Sequence, residues 1–331
     1  MLTIAAVDIG YRNTKLVYQA GTQGRVRSLH FPSIAVKAST QMATEVMSQR
    51  DTRLVRVDDE SLEVGPDARL LLGPRSNQIL HEAFVGTLEY RALFYGALSY
   101  IGLPRIDVLV GGLPVRHMES GQAALEAFMQ GTHEVPGLGE VTVRNAKVIP
   151  QPLGGLMHHN TMSTARNDRE TVLLVDPGYF TLDWTAAEGF RHLPALTGSF
   201  PAGISSGLLV VADLLSRELG TPVNDLDAID RQLRRPTFRY GGVEFSRPDI
   251  EEALQAALKP GIVEMRNRVG AALGIDRIVL CGGGALFYEP LVREAWPRHE
   301  VTVMEDPLMA NVRGFHVLAR NLAQRHREVA A

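Results

Sequence analysis

The sequence predicts an α/β protein built from two similar halves. Apolar segments of strand length alternate with longer segments in which apolar residues recur at helical spacing. A strand–turn–strand pattern with an acidic residue after its first strand occurs twice, at 2–18 and at 171–184. The two copies are about half a chain apart, as a duplicated domain would place them. At 331 residues the chain is long enough for two domains of ordinary size.

The second copy of this pattern is the clearer one. Thr171–Val175 has the composition of a buried strand, Asp176 follows it directly, and Pro177-Gly178 is a strong turn signal. A second apolar strand resumes at Thr181–Trp184. A carboxylate at the end of a buried strand is costly unless a cation or hydrogen-bond donors meet it. The turn also exposes N–H groups that can bind an anion. The pattern therefore indicates a loop that holds a metal-bound phosphate.

The first copy repeats this design at the start of the chain. Leu2–Val7 is an apolar strand, 8–10 is an Asp-Ile-Gly turn, and a strand resumes at 16–18. When the copies are aligned, five pairs of residues coincide: Asp8 with Asp176, Gly10 with Gly178, Tyr11 with Tyr179, Asn13 with Thr181, and Lys15 with Asp183. Two turns of one design predict that a single polyphosphate binds between them.

The other elements follow from the same patterns. Up to residue 149 we expect strands at 25–31, 54–57, 61–64, 106–110 and 141–149, and helices at 85–101 and 120–129. Beyond the second copy we expect extended chain at 192–200, strands at 277–281 and 301–304, and helices at 208–219, 225–233 and 310–323. Segment 236–245 is expected to be irregular, with a Gly241-Gly242 turn. Segment 248–273 is expected to be helical, with a break or kink at Pro260-Gly261.

Composition narrows the function classes. The chain is 45% hydrophobic and 21% charged, which is normal for a globular protein, and its net charge of -3 gives no general attraction to nucleic acid or anionic membranes. Its single cysteine, Cys281, excludes an internal disulfide and fits a reducing compartment. No run approaches the roughly 18 apolar residues of a membrane span, and no signal peptide is expected. We expect a cytoplasmic protein that neither enters a membrane nor reads DNA sequence itself.

Five motifs occur in an order that resembles the actin-fold ATPases, and within them the bacterial plasmid-segregation actins of the ParM/StbA type. They are similar to the first phosphate loop at 8–15, the first connecting segment at 150–152, the second phosphate loop at 176–183, the adenosine motif at 278–286, and the second connecting segment at 306–314. The Asn-x-Lys and Thr-Leu-Asp endings of the two loops resemble ParM more than Hsp70 or sugar kinases. The resemblance covers nearly the whole chain.

This resemblance implies an actin-like ATPase fold with two domains around a central nucleotide cleft, one at 1–150 plus 310–331 and the other at 151–309. A hinge near 149–154 and the final helix would join them. The implied activity is slow, assembly-coupled hydrolysis of ATP, or of GTP, with Mg²⁺. The implied partners are further copies in a filament and a DNA-binding adaptor, for plasmid segregation. Two alternatives keep the same core: a nucleotide-binding protein that does not polymerise, and a small-molecule kinase or chaperone-like ATPase.

The resemblance also implies roles for individual residues. Asp8 and Asp176 would hold Mg²⁺ through water, since this ion dehydrates reluctantly, and Lys15 would reach the phosphates as a point charge. Gln151, with Asp176, would be catalytic; an amide takes up no proton near neutral pH, so Gln151 would orient the attacking water. The nucleotide-binding residues would be Asp8, Gly10, Asn13, Lys15, Gly178, Thr181, Asp183, Gly282, Gly283, Gly284 and Asn311.

Several residues allow other interpretations. Both aspartates could cap turns, Lys15 could be solvated, Gln151 could be an inert turn residue, and Asp183 could be structural. Tyr11 and Tyr179 stand where the family has small residues, and Pro177 removes a backbone donor. Arg217 or Glu218 could reach the adenine. Segment 203–207 matches the Gly-x-Ser-x-Gly elbow of esterases but lacks the apolar strand before it. We expect His158-His159 in a loop and Cys281 in the core.

Overall fold

The structure is a computed structural model that describes residues 2–21, 24–38, 50–72, 84–162 and 170–330. The chain divides into two compact units, unit 1 at Met1–Thr164 with Met309–Ala331 and unit 2 at Ala165–Leu308. Residues 151–164 belong to unit 1 by this division, whereas the sequence places 151–309 in the second domain; the domain limits stay a prediction. Residues 40–49, for which the sequence predicts no strand or helix, lie outside the described residues.

The described strands of unit 1 all lie in the first half of the chain. They are β1 (Thr3–Ile9), β2 (Asn13–Ala20), β3 (Arg27–Pro32), β4 (Ala35–Lys37), β5 (Arg53–Val57), β6 (Glu60–Val64), β7 (Arg105–Ile106), β8 (Val108–Leu113), β9 (Gly131–Val135), β10 (Gly139–Val143) and β11 (Ala146–Pro150). Its helices are α1 (Leu88–Ile101), α2 (Met118–Met129) and α3 (Gln151–Met162), and the chain returns to unit 1 in its last helix, Ala310–Ala330.

The main sheet of unit 1 has the strand order β3-β2-β1-β8-β11. β1 is antiparallel to β2 and parallel to β8, and β11 continues the parallel half. Every residue of β1 is buried because both faces of the sheet are covered. Ala5 and Val7 pack with α1 on one face, while Ile4 and Ala6 pack with the last helix on the other. The loop between β1 and β2 therefore begins at the end of a strand that is packed on both faces.

Unit 2 contains the remaining strands. They are β12 (Thr171–Pro177), β13 (Leu182–Glu188), β14 (Arg191–His192), β15 (Gly198–Phe200), β16 (Phe238–Tyr240), β17 (Val243–Phe245), β18 (Arg277–Leu280) and β19 (Glu300–Val303). Its helices are α4 (Ile204–Leu219), α5 (Leu226–Leu233), α6 (Arg247–Val269) and α7 (Ala285–Ala295), after which α8 (Ala310–Ala330) completes unit 1. One large apolar core joins these helices to β12, β13 and β18.

The main sheet of unit 2 repeats the topology of unit 1. Its order is β14-β13-β12-β18-β19, in which β12 is antiparallel to β13 and parallel to β18, and β18 is parallel to β19. The run β2-β1-β8-β11 of unit 1 has the same order and the same directions. The hairpin alignment also holds residue by residue, because Asp8 faces Lys15 in one ladder and Asp176 faces Asp183 in the other. The prediction of two similar halves is confirmed.

Some local predictions are wrong. Segment 141–149 forms two strands in different sheets, β10 and β11, not one. Of the break or kink expected at Pro260-Gly261, the break does not occur, since α6 continues through it, and the kink stays a prediction. A proline removes only one N–H, and a Cβ at Gly261 would lie 3.0 Å from Leu182 and 3.1 Å from Ala202, so the helix lies directly on the core there. Helices α3 and α7 and strand β9 have no counterpart among the predicted elements.

The irregular stretch at 236–245 is in fact a hairpin, with the Gly241-Gly242 turn where the sequence places it. Both glycines have positive φ, as a two-residue hairpin turn requires. His158 and His159 lie on α3 and not in a loop. Cys281 is buried, as expected. Among the described residues, no helix is both long enough and apolar enough to cross a membrane.

Candidate functional site

The loop between β1 and β2, here called loop 1 (residues 8–15), is closed by a backbone hydrogen bond. Gly10 N donates to Asn13 O at 3.0 Å. Asp8 is fully buried, and Lys15 faces it in the ladder and donates from Nζ to Asp8 Oδ2 at 2.6 Å. A buried carboxylate is tolerated only when a cation or donors meet it. Lys15 is therefore held against Asp8 by the strand register, and the solvated alternative for Lys15 does not apply.

Gln151 joins this pair from the other end of unit 1. It is the first residue of α3, directly after β11, and its Nε2 donates to Asp8 Oδ1 at 2.7 Å. A carboxylate only accepts hydrogen bonds, so the amide nitrogen must face Asp8. This contact leaves Oε1 as the end of Gln151 that can accept a hydrogen bond from water. Three residues predicted as site residues thus meet at one carboxylate.

Ser33 supports loop 1 and was missed by the sequence analysis. Its Oγ donates to Gly10 O at 2.6 Å, and its N donates to Arg12 O at 2.8 Å. The Thr14 hydroxyl lies 3.0 Å from the same Oγ. These bonds fix the carbonyl groups of Gly10 and Arg12. No local pattern at Pro32-Ser33 could have indicated this role, because the partners lie 19 to 23 residues away.

An aromatic cluster lies beside loop 1. The Tyr11 ring stacks on Phe84 with ring centroids 5.0 Å apart, and Phe84 meets Tyr90 edge-on at 5.5 Å. The large Tyr11 ring is therefore packed within this aromatic cluster. The Tyr90 hydroxyl is buried and has no hydrogen-bond partner among the described residues. Burial, and then the nearby negative charge of Asp8, raise the pKa of Tyr90. Tyr90 thus stays neutral beside the acidic residue.

The loop between β12 and β13, here called loop 2 (residues 176–183), has the same closure. Gly178 N donates to Thr181 O at 2.8 Å. Asp176 and Asp183 face each other in the ladder, and both are buried, at 6% and 2% exposed. The Thr181 hydroxyl donates to Asp183 Oδ2 at 2.5 Å. Loop 2 therefore carries two acidic residues where loop 1 carries an Asp–Lys pair, and the lysine is the main chemical difference between the copies.

The start of α4 fixes loop 2. Gly203 N donates to Phe180 O at 2.9 Å, and Ile204 N donates to Gly178 O at 3.1 Å. Ser205 N donates to Tyr179 O at 2.9 Å. A Cβ at Gly203 would lie 2.4 Å from Tyr179 O, so only glycine permits this approach. The Gly-x-Ser-x-Gly match at 203–207 thus has a structural explanation, and Ser205 is buried within α4.

The glycine turn at 282–284 lies directly against loop 2. Gly284 N donates to Pro177 O at 2.8 Å, and Gly282 N donates to Pro307 O at 2.7 Å. Gly282 has a φ of +79°, and a Cβ there would lie 2.1 Å from Asp176 Oδ1. Any side chain at 282 would therefore displace the carboxylate. The structure brings the predicted phosphate loop and the predicted adenosine turn of unit 2 together.

Two further predicted residues have contacts outside the two loops. Asn311 is at the start of α8, and its Oδ1 accepts a hydrogen bond from Gly155 N at 3.1 Å. Helices α3 and α8 cross closely there, since a Cβ at Gly314 would lie 1.7 Å from Gly154 O. Arg217 forms an ion pair with Asp213 on the exposed side of α4.

One residue beside the glycine turn was not predicted. Arg234, which the sequence analysis missed, donates to Gly283 O at 3.1 Å.

Each of the two loops, taken by itself, carries a carboxylate of the kind that a hydrated magnesium ion prefers. Within the described ranges, no group of three or more His, Cys, Asp or Glu side chains could enclose a metal. Mg²⁺ typically binds through one or two carboxylates, waters and substrate phosphates, not a full protein cage. Asp8 and Asp176, each buried at the end of a strand, are oxygen ligands of the kind that this ion prefers.

Two units of one sheet topology, each with a glycine-closed loop after an acidic strand end, define an actin-like fold. Residues 6–154 match the family model described as the actin-like proteins N-terminal domain. No curated protein matches the chain. The predicted resemblance and the predicted fold class are confirmed, and the chain has the actin-like ATPase fold.

Solved structures agree over nearly the full length. A 15-stranded ParM filament from Clostridium botulinum is similar at 17% identity, with a TM-score of 0.76 over 97% of this chain and 99% of that one. The archaeal actin homologue Ta0583 in complex with ADP is similar at 17% identity, with a TM-score of 0.74 over 98% and 100%. The ParM protein of psk41 is similar at 16% identity, with a TM-score of 0.70 over 98% of each chain.

Proposed function

We propose that this protein is an actin-like ATPase that binds one Mg²⁺-nucleotide with both loops. The observation that carries the proposal is the meeting of Lys15 and Gln151 at the two oxygens of the buried Asp8 carboxylate. Phosphoryl transfer to water depends on positioning and charge neutralisation more than on covalent chemistry. A buried lysine, a carboxylate and a water-orienting amide supply these functions within unit 1.

Each residue of loop 1 has a distinct part in this proposal. Lys15 neutralises phosphate charge, and Asp8 binds water of the magnesium ion. Gln151 accepts a hydrogen bond from the attacking water at Oε1 while Asp8 holds its Nε2. Because an amide cannot take the proton away, the reaction is expected to be slow.

Loop 2 and the glycine turn complete the proposed site. Asp176 is the second carboxylate for the ion, and the N–H groups of loop 2 face the phosphates. The turn at 282–284 gives the base and ribose close access to the backbone, since it carries no side chains. The contact between Gly282 and Asp176 supports a single ligand that spans both features of unit 2.

The biological part of the proposal is a cytoplasmic filament for plasmid segregation. Support comes from the fold that the chain shares with a ParM filament and with an Alp12 filament. The net charge of -3 and the lack of a DNA-reading motif favour attachment to DNA through an adaptor protein. We do not propose a kinase, because no observation favours an acceptor substrate; Asp183, its candidate base, accepts a hydrogen bond from Thr181.

Light scattering tests this function. Mg-ATP or Mg-GTP should raise the scattering of the purified protein, and the signal should decay as hydrolysis proceeds. Mg-ADP and the Asp176→Ala variant, as a control for nucleotide binding, should give no rise. Turnover without any rise would instead identify an ATPase that does not polymerise, and an absence of both binding and turnover would contradict the proposal.

A further inference from the structure

Arg234 is held in place by the residues around the glycine turn. It follows α5 directly, and its Nε lies 3.2 Å from both carboxylate oxygens of Asp230. Its Nη2 donates to Gly283 O at 3.1 Å. Asp230 is only 3% exposed, so the carboxylate is a fixed anchor. Charge-assisted bonds of this kind hold a guanidinium group more firmly than neutral ones do.

Two further contacts restrict the same guanidinium group. The Arg234 Cζ lies 5.2 Å from the centroid of the Phe287 ring on α7, which is within the range of a cation–π contact. The backbone around Arg234 is also fixed, because Arg247 donates to Leu233 O at 2.9 Å and to Arg235 O at 2.5 Å. Arg234 is therefore ordered by hydrogen bonds at Nε and Nη2 and by contact with an aromatic ring.

This order is unusual for a partly exposed arginine. The side chain remains 41% exposed, and an exposed arginine normally keeps its rotamer freedom. Among the described residues, Nη1 has no hydrogen-bond partner in the contacts of Arg234. Capping the Gly283 carbonyl alone would not need a planar group, since a lysine or a water could do it. A fixed, flat cation that remains 41% exposed is suited to a flat, π-rich ligand.

We infer that the Arg234 guanidinium is the platform on which the purine base of the nucleotide stacks. This inference rests on the proposed function, which brings the nucleoside to the glycine turn. Because the contact is made with the face of the base, both adenine and guanine can use it. Because Asp230 and Phe287 already order the Arg234 side chain, binding costs less conformational entropy. Arg234 thereby raises affinity for purine nucleotides without choosing between ATP and GTP.

Two variants test this inference by calorimetric titration with Mg-ATP, Mg-GTP and Mg-tripolyphosphate. Arg234→Lys keeps the positive charge beside Asp230 but removes the plane, and Phe287→Leu removes the ring while keeping an apolar side chain. Each should weaken binding of both nucleotides about tenfold and leave tripolyphosphate binding unchanged. Arg293→Lys is the matched control, since Arg293 forms an exposed ion pair with Glu289 on α7.

The outcomes separate this inference from the proposed function. Nucleotide affinities of Arg234→Lys equal to wild type would overturn the platform, and so would an equal loss for tripolyphosphate or a loss confined to one purine. A wild-type protein that binds tripolyphosphate but no nucleotide would overturn it as well. If the wild-type protein binds neither, the proposed function itself fails.

Discussion

Asp8 is the residue on which the unit 1 half of the site depends. Its two oxygens accept from Lys15, seven residues away, and from Gln151, 143 residues away. The Lys15 contact could be predicted from the hairpin pattern, because strand register decides it. The Gln151 contact could not be predicted from any local pattern, since it depends on β11 lying two strands from β1. The family resemblance indicated the role of Gln151, and the structure gives its partner.

Gln151→Ala is expected to slow ATP hydrolysis by at least about tenfold, the effect of losing one hydrogen bond of about 1.5 kcal/mol in the transition state. The dissociation constant for ATP should stay within about twofold, because Gln151 is not assigned to the ground-state nucleotide. Steady-state turnover and titration measure the two quantities. Gln255→Ala, on α6, is the control. A loss of ATP affinity in Gln151→Ala would contradict the water-orienting role.

The buried Tyr90 hydroxyl gives a pH prediction. The pKa of the Tyr90 hydroxyl is raised in the folded state. The stability that its neutral form contributes is therefore fully present below the unfolded pKa of about 10 and is lost as the pH rises above that value. Tyr90→Phe should therefore reduce the loss of stability above about pH 10. At pH 7 it should change the free energy of unfolding by less than about 1 kcal/mol, because no hydrogen bond is lost.

Urea unfolding at pH 7 and at high pH measures both effects. Tyr288→Phe is the contrast, since the Tyr288 hydroxyl donates to Ala202 O and its removal leaves that buried carbonyl without this donor. Tyr288→Phe should therefore destabilise the protein at pH 7. A Tyr90→Phe variant that is destabilised as much as Tyr288→Phe would show that the Tyr90 hydroxyl has a partner.

At the scale of elements, the two loops share a closure but differ in support. Loop 1 is held by a serine side chain from the segment after β3, whereas loop 2 is held by backbone N–H groups at the start of α4. Both devices fix loop carbonyls in place. The alignment of the hairpins predicted the shared closure, but the supports depend on segments that meet only in the fold. The supporting roles of Ser33 and Gly203 therefore could not be predicted from the sequence.

Gly203→Ala tests the support of loop 2. The added Cβ would lie 2.4 Å from Tyr179 O and 2.5 Å from Phe180 C, so backbone must move. The free energy of unfolding should fall by about 1–3 kcal/mol, as for other overpacked sites, and nucleotide affinity should fall with it. Gly274→Ala is the matched control, because no atom lies within 4 Å of its Cβ position. Equal stabilities for the two variants, by thermal unfolding, would contradict the role of Gly203.

Helix α3 shows why some elements could not be predicted. Its first five residues contain a proline and two glycines, which favour a turn. Gly154 and Gly314 nevertheless allow α3 to approach α8 almost backbone to backbone. Burial of this face stabilises the helix more than the local propensity opposes it. The same argument explains α6, in which packing on the core outweighs the presence of Pro260.

At the scale of the whole molecule, the main feature is the duplication of one hairpin and one sheet topology in the two units. The sequence predicts two hairpins of one design, and both sheets repeat the same strand order around them. This much was predictable because acidic strand ends followed by glycine turns are local patterns. Solved structures that are only 16–17% identical share this fold, so nucleotide binding is tested directly at the residues of the two loops.

Calorimetric titration of the wild-type protein, Asp8→Asn and Asp176→Asn with ATP and Mg²⁺ tests the central claim most directly. If one nucleotide contacts both loops, the wild-type protein should bind one ATP per chain, and either substitution alone should weaken that binding at least about tenfold. Two bound ATP molecules per chain, or full affinity in either variant, would contradict a single nucleotide held by both loops.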